Sequence, residues 1–451
     1  MKTLVAQRGW LDDSDLRLDA SFHLSDGQLT LAAFKRAEIH TEPLQKVSER
    51  IFYGGRSRRI YVSNPENGLP FIKGADIIKS DFSNLKIISR KRTANLKEYF
   101  LEEGWTVITR SGTIGNTAYV NKDFIGKAAS DDIIRVVPKT VPSGFLYAFL
   151  SSKPGQALLN HGSYGAVIQH IEPEHIENIP VPIFKSEKQQ EVHNLIIQAA
   201  DLRVESNKNL NLALSYFNTK YQNYLGYQTI FSKNVKKLGF SWVGRNNDVF
   251  AEEVSEKIQS DGFNVINQIA EKVFAPPMFK HIYLSSDNGY VFYTGADLLK
   301  SFRRPSRFLS KKGVNRISDY VVNENQVLVY KSGPRDGMLG SVFLTDGNIK
   351  GSCLSDHVIR IQIQDEILRN WVFAFLKSKV GLRQLHNIAT GTAILFITPE
   401  RLAAMAIPRL DDRCNEISEL IRKYKDLNER AFLLEELALC NVEKEIAQWQ
   451  Q

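Results

Sequence analysis

Between residues 187 and 225 the apolar side chains Val192, Leu195, Ile196, Ala199, Leu202, Ala213, Tyr216, Phe217, Tyr221 and Tyr224 fall at three- and four-residue spacings, with no Pro or Gly in the stretch. That period lays them along one stripe of a helix. Ser206 and Asn209 interrupt the stripe, Pro180 and Pro182 bar an earlier start, and Gly226 is a natural stop. Such a helix would be about 58 Å long at ~1.5 Å per residue, too long to hide inside one compact domain. It needs a partner helix, and residues 412–450 offer one. There Ile417, Leu420, Ile421, Tyr424, Leu427, Ala431, Leu434, Ala438, Val442, Ile446 and Trp449 make a stripe of the same period. The pattern predicts that the two helices bury their stripes against each other as an antiparallel coiled coil.

The two stripes are the clearest part of a wider duplication. Val192, Leu195, Ile196, Ala199 and Leu202 recur 225 positions on as Ile417, Leu420, Ile421, Tyr424 and Leu427. Glu49-Arg50-Ile51-Phe52 returns as Glu271-Lys272-Val273-Phe274, and Gly74-Ala75-Asp76-Ile77-Ile78-Lys79-Ser80 as Gly295-Ala296-Asp297-Leu298-Leu299-Lys300-Ser301. Arg110-Ser111-Gly112 returns as Lys331-Ser332-Gly333, each the end of an expected strand at a tight turn. Ser130-Asp131-Asp132-Ile133-Ile134-Arg135 returns as Ser355-Asp356-His357-Val358-Ile359-Arg360, the start of another strand. Helices are expected over 145–152 and 371–378, and Pro182 and Pro408 precede the long helices. A repeat of this length is a duplicated domain rather than a stacked array. The expected organisation is α+β, with mixed short strands and helices in two pseudo-repeated domains, residues 1–185 and 227–410. Long helices over 186–226 and 411–451 separate them.

Lys and Arg exceed Asp and Glu to leave a net charge of +8, compatible with a polyanion partner. The local runs say more. Arg56, Arg58 and Arg59 crowd together, Arg90, Lys91 and Arg92 follow, and Arg303, Arg304, Arg307, Lys311 and Lys312 form a third group. Gly-rich turns flank them, at Tyr53-Gly54-Gly55-Arg56 and Gly162-Ser163-Tyr164-Gly165 in the first repeat and at Arg335-Asp336-Gly337 in the second. Three cysteines, Cys353, Cys414 and Cys440, lack metal-ligand spacing and suit a reducing cytosol. No apolar run approaches a membrane span or a signal peptide, so a cytoplasmic location is expected.

Motifs for covalent chemistry are missing: there is no phosphate-binding Gly-x-x-x-x-Gly-Lys-Ser/Thr loop and no strand-borne Gly-x-Gly-x-x-Gly. Asn64-Pro65-Glu66-Asn67 lacks the second Pro and the aromatic of an adenine methyltransferase motif. His161, His170 and His175 resemble a metal cluster, but Pro173 breaks any helix joining the last two, and their counterparts are Asn387, Phe396 and Arg401. No metal is expected. Asp131 and Asp356 each follow a Ser at a strand start, where an Asx-type turn accounts for them. Arg110-Ser111-Gly112 and Lys331-Ser332-Gly333 either present a cation to phosphate or are plain hairpin turns.

In this arrangement the chain resembles the DNA specificity subunit of Type I restriction-modification systems. Two domains each precede a long helix, and Gly-Ala-Asp, Arg/Lys-Ser-Gly and Ser-Asp-x-x-Ile-Arg recur before a closing Pro and Glu187-Lys188-Gln189-Gln190-Glu191. The second repeat carries Leu410-Asp411-Asp412-Arg413-Cys414-Asn415-Glu416 at that last place, so the two helices need not contact partners alike. The resemblance implies a non-catalytic subunit whose domains each read one half of a bipartite target in double-stranded DNA, with the helices setting the spacer. It implies two adenine-N6 methyltransferase subunits and restriction subunits as partners. S-adenosylmethionine, ATP and Mg would then belong to those subunits, with no cofactor in this chain. The candidate DNA-binding residues are Arg56, Arg58, Arg59, Arg90, Lys91, Arg92, Arg110, Ser111 and Tyr164 in the first repeat. In the second they are Arg303, Arg304, Arg307, Lys311, Lys312, Lys331, Ser332 and Arg335. The competing expectations are the specificity subunit of a Type II or other phage-defence system, a self-sufficient DNA-modifying enzyme, and a scaffold that never touches DNA.

Overall fold

The computed structural model describes residues 8–9, 20–56, 58–62, 64–82, 85–161, 170–226, 248–284, 289–312, 314, 316–392 and 394–449. It divides into two compact units, Met1–Val204 with Arg430–Gln451, and Glu205–Glu429. Each unit therefore takes one segment from each long helix.

In the first unit β2 (Ser48–Tyr53), β5 (Thr106–Thr109), β6 (Thr117–Tyr119) and β8 (Ile133–Pro138) form an antiparallel sheet in the order β2-β8-β5-β6. Its central strands are β-branched runs buried along Thr106–Thr109 and through Ile133, Ile134 and Val136, as expected of strands covered on both faces. A second sheet pairs β3 (Gly68–Ile72) antiparallel with β4 (Lys86–Ser89) and parallel with β7 (Ala128–Ala129). The tie between β1 (Thr41–Pro43) and β9 (Pro180–Pro182) closes the unit.

The second unit repeats this topology with added strands of its own. β11 (Lys272–Phe274), β15 (Gln326–Tyr330), β17 (Val342–Leu344) and β19 (Val358–Gln362) order as β11-β19-β15-β17. β13 (Tyr290–Tyr293) runs antiparallel to β14 (Phe308–Leu309) and parallel to β18 (Cys353–Leu354), and β14 also pairs β12 (Tyr283–Leu284). β10 (Phe263–Val265) and β21 (Ala406–Pro408) supply the closing tie. Register is kept too: Arg135 faces Phe52 and Val107, and Arg360 faces Phe274 and Leu328. The duplicated sequence thus encodes a duplicated fold.

The short motifs acquire structural roles here. In Gly-Ala-Asp-x-x-Lys, the Asp76 carboxylate accepts from the Lys73 amide at 2.9 Å and pairs with Lys79 Nζ at 2.6 Å. Asp297 accepts from the Thr294 amide at 2.9 Å and pairs with Lys300 at 2.8 Å. Burial pushes the Asp297 carboxyl up, but the Lys300 and Thr294 donors outweigh it, and its pKa lies below the usual carboxylate value. The strand arginines are fully buried and held by main-chain carbonyls. Arg135 donates to the carbonyls of Ala129, Ser130 and Ile133, and Arg360 to those of Asp319, Tyr320 and Val321. Desolvation draws both guanidinium pKa values down to about 10, still charged at neutral pH.

The long helices run Ser186–Lys220 and Cys414–Trp449. In the first unit they lie antiparallel: Phe184 meets Trp449 edge-on with centroids 5.0 Å apart, and Asn441 donates to Glu191 at 3.0 Å. In the second unit Ser206 Oγ donates to the Tyr424 carbonyl at 2.7 Å, and Lys220 pairs with Asp411 at 2.9 Å. The polar break at Ser206, which is fully buried, is a helix-to-helix hydrogen bond that also accepts from Asn428. The helices before the long ones also pack tightly in both units. A Cβ on Gly155 or Gly381 would overlap the carbonyl of Phe149 or Phe375, so the chain passes there only as glycine.

One feature breaks the duplication. In the first unit Arg203 pairs with Glu435, which is 1 % exposed, and the buried Tyr147 hydroxyl donates to the same carboxylate. Burial, then the Glu435 charge, pushes the Tyr147 pKa well above its ordinary value. The matching positions of the second unit hold Asn428, Leu210 and Phe373, largely apolar. Removing one partner of a buried pair strands the other charge at a cost of about 3–5 kcal/mol, whereas replacing both with apolar groups is near neutral. Glu435→Ala should lower the melting temperature, and R203M/E435L should recover most of the loss in a thermal-denaturation series.

Candidate nucleic-acid interface

Three chain segments meet at one place in the first unit: the turn after β5, the entry to β8, and the extended segment at 170–172. The Arg110 amide donates to the Asp132 carbonyl at 2.9 Å, and the Ile171 amide donates to the Arg110 carbonyl at 3.0 Å. Ser111 forms an isolated bridge with His170. The turn leading into β8 is closed by Ser130, whose hydroxyl accepts from the Asp132 amide at 3.1 Å. An Asx-type turn was expected at Asp131; the serine closes it instead, which leaves the Asp131 carboxylate to Arg59.

The second unit builds the same frame from matched residues. The Lys331 amide donates to the His357 carbonyl at 2.9 Å, and the Ile397 amide to the Lys331 carbonyl at 2.7 Å. β16 (Ser332–Gly333) pairs with β20 (Leu395–Phe396), with Ser332 opposite Phe396. Ser355 Oγ accepts from the His357 amide at 3.3 Å, the counterpart of the Ser130 turn.

On this common frame the side chains differ. In the first unit Ser111 Oγ lies 3.3 Å from Asp132 and 3.1 Å from His170 Nδ1, while Arg59 pairs with Asp131 and lies 3.1 Å from Asp132. Arg56 lies 3.8 Å from Asp131 and is 75 % exposed. In the second unit Ser332 Oγ hydrogen-bonds His357 Nδ1 at 2.8 Å, and the neighbouring Phe396 is 45 % exposed. One site is ionic; the other sets an imidazole on a serine that lies across a strand pair from an exposed aromatic ring.

The candidate residues separate into exposed cations and supports. Arg58, Arg90, Lys91 and Arg92 stand exposed in the first unit, as do Lys311 and Lys312 in the second, with Lys311 Nζ 5.5 Å above the Tyr290 ring. Arg307 is partly exposed and lies 3.6 Å from Asp297. Arg303 is drawn inward to Asp346 at 3.2 Å, Arg335 donates to the His386 carbonyl at 3.2 Å, and Arg304 and Lys331 are half-buried. Arg110 is buried, forks onto Glu172 and lies over the Tyr53 ring at 4.2 Å. Desolvation lowers its pKa, but the Glu172 hydrogen bond and charge outweigh it and raise the pKa overall. It braces the turn that carries Ser111. Tyr164 lies outside the described residues.

Residue types and spacing alone did not single out Asp132, His357 and Phe396. The signal was present, since Asp132 and His357 fill the one place of the repeated Ser-Asp-x-x-Ile-Arg run where the change is not conservative.

The family model for the Type I restriction modification DNA specificity domain matches residues 56–216 and 263–409, one match in each repeat. The Type-I restriction-modification S subunit from M. genitalium is similar at 12% identity over 91% of this chain and 92% of that one, with a TM-score of 0.31. The HsdS subunit from Thermoanaerobacter tengcongensis is 14% identical over 90% and 95%, with a TM-score of 0.29. No curated protein matches the chain.

Phosphate contacts carry most of the salt dependence of DNA binding, at roughly 0.9 in the log–log slope per contact. K91E/R92E and K311E/K312E should each weaken binding to duplex DNA and flatten its salt dependence. Arg110→Met, which strands Glu172, should act first on thermal stability.

Proposed function

The chain belongs to the family of Type I restriction-modification DNA specificity proteins, and from that premise we propose that each unit reads one half of a bipartite duplex target. The observation that carries this reading is the duplicated three-segment frame with unlike side chains. Two copies of one backbone scaffold that differ where they meet solvent suit two different half-sequences, because base edges are read by donors, acceptors and apolar groups placed in a groove. The exposed cations beside each frame suit the phosphates that fix register. In this reading the chain specifies sequence and does not catalyse, so covalent chemistry falls to partners. Those partners, in our reading, are two adenine-N6 methyltransferase subunits binding S-adenosylmethionine and restriction subunits using ATP and Mg. The long helices dock the methyltransferases and set the spacer. Among the described residues no helix is long and apolar enough to cross a membrane.

Mapping methylated adenines in a host carrying this chain and its methyltransferase tests the reading. Exchanging residues 227–410 for the matching domain of another such protein should change one half of the methylated motif and leave the other. Adding one turn to the first long helix should alter only the spacer. Methyl transfer by the purified chain alone would overturn the proposal.

A further inference from the structure

Within residues 128–136 every residue is buried except Asp132, and within 352–361 every residue is buried except His357. These two occupy the same place in the duplicated fold, one position before β8 and β19. Each is held through its carbonyl by the amide of Arg110 or Lys331 and through its side chain by the hydroxyl of Ser111 or Ser332, and the Asp132 carboxylate also pairs with Arg59 at 3.1 Å and accepts from Ser130 Oγ at 3.3 Å. A residue needed only to shape the turn would be interchangeable between the units. Here the amide and serine contacts are kept while the group they hold changes from carboxylate to imidazole. Its neighbour across the frame changes as well, from His170 to Phe396.

We infer that this position and its neighbour read bases: Asp132 with His170 in the half recognised by the first unit, and His357 with Phe396 in the other. The inference rests on the specificity reading above and names the residues that carry it. Side chains held in advance lose little freedom on binding, which favours discrimination over mere adhesion. The Asp132 carboxylate accepts hydrogen bonds, so it selects the exocyclic amino group of cytosine or adenine. The His357 imidazole hydrogen-bonds a base edge, while the Phe396 ring and the 69 % exposed Ile394 suit the methyl group of thymine.

The test maps methylated adenines in a host expressing the full chain with its methyltransferase, comparing wild type with D132N, H357Q and F396L. D132N should change or relax bases only in the half read by the first unit, with discrimination falling roughly tenfold or more at the affected position. H357Q and F396L should act only on the other half. The half that a variant leaves intact shows that the chain is folded and assembled. Should D132N or H357Q abolish methylation, D132E and H357N decide in the same way. A motif unchanged in both halves, or a uniform fall in methylation without any change of motif, overturns the assignment. A wild-type chain that directs no bipartite methylation would instead sink the specificity reading itself.

Discussion

Each unit closes around two helix segments that come from distant parts of the chain and cross antiparallel. In the first unit Val192, Ile196 and Ala199 are buried on one helix, as are Ala438, Val442 and Ile446 on the other. In the second, Phe217 and Tyr221 share the core with Ile417, Ile421 and the wholly buried Trp371, whose indole also donates to the Pro408 carbonyl at 2.8 Å. Burying such a side chain contributes about 1.5–3 kcal/mol, so these segments rank among the main supports of each unit. Neither globular repeat is complete with only its own following helix, since the first unit includes Arg430–Gln451.

That dependence explains which parts of the duplication are kept and which are not. Apart from the Arg203–Glu435–Tyr147 cluster, residues facing the helices or spanning the sheets largely recur because they answer to the same neighbours. Ser152 and Ser378 cap equivalent turns, and Lys153 and Lys379 donate their amides to Glu443 and Asn218 of the long helices at 2.8 and 3.0 Å. The buried arginines recur in place but clamp different loops, Ala129 to Ile133 in one unit and Asp319 to Val321 in the other. Where the frame meets solvent the constraint lapses, and side-chain identity is free to follow the ligand. Family membership gives that freedom its meaning, since a protein that reads two unlike half-sites needs one scaffold and two sets of contacts.

Much of this was legible in the order of residues. The long helices are strongly periodic, and the structure places them at Ser186–Lys220 and Cys414–Trp449, close to the expected 187–225 and 412–450. The first shortens because Tyr221 leaves helical geometry at φ −116°, and a separate turn, Gln222–Tyr224, follows. The second starts late because Asp411 spends its carboxylate and carbonyl capping Arg413 and Cys414. The internal repeat marked the strand ending at Arg110, the strand starting after Ser130 and their second copies, but not the order in which they pair. What it hid was the partner of each charge. The turn at Arg110 reads either as a cation offered to phosphate or as a plain hairpin, and Glu172, far along the chain, claims the guanidinium, just as Asp131 and Asp132 gather Arg59. Such pairs depend on loop paths that no periodicity encodes, so a run of basic residues does not separate contacts from supports.

The account stands or falls on whether both frames touch the target, each its own half. Hydrogen–deuterium exchange on the full chain, with and without a duplex carrying its methylated motif, measures this directly. Protection should appear at 110–112 and 130–132 and at 331–333 and 355–357, and scrambling one half of the duplex should erase it in one unit alone. Protection confined to one unit, or lost from both together when a single half is scrambled, would contradict the account.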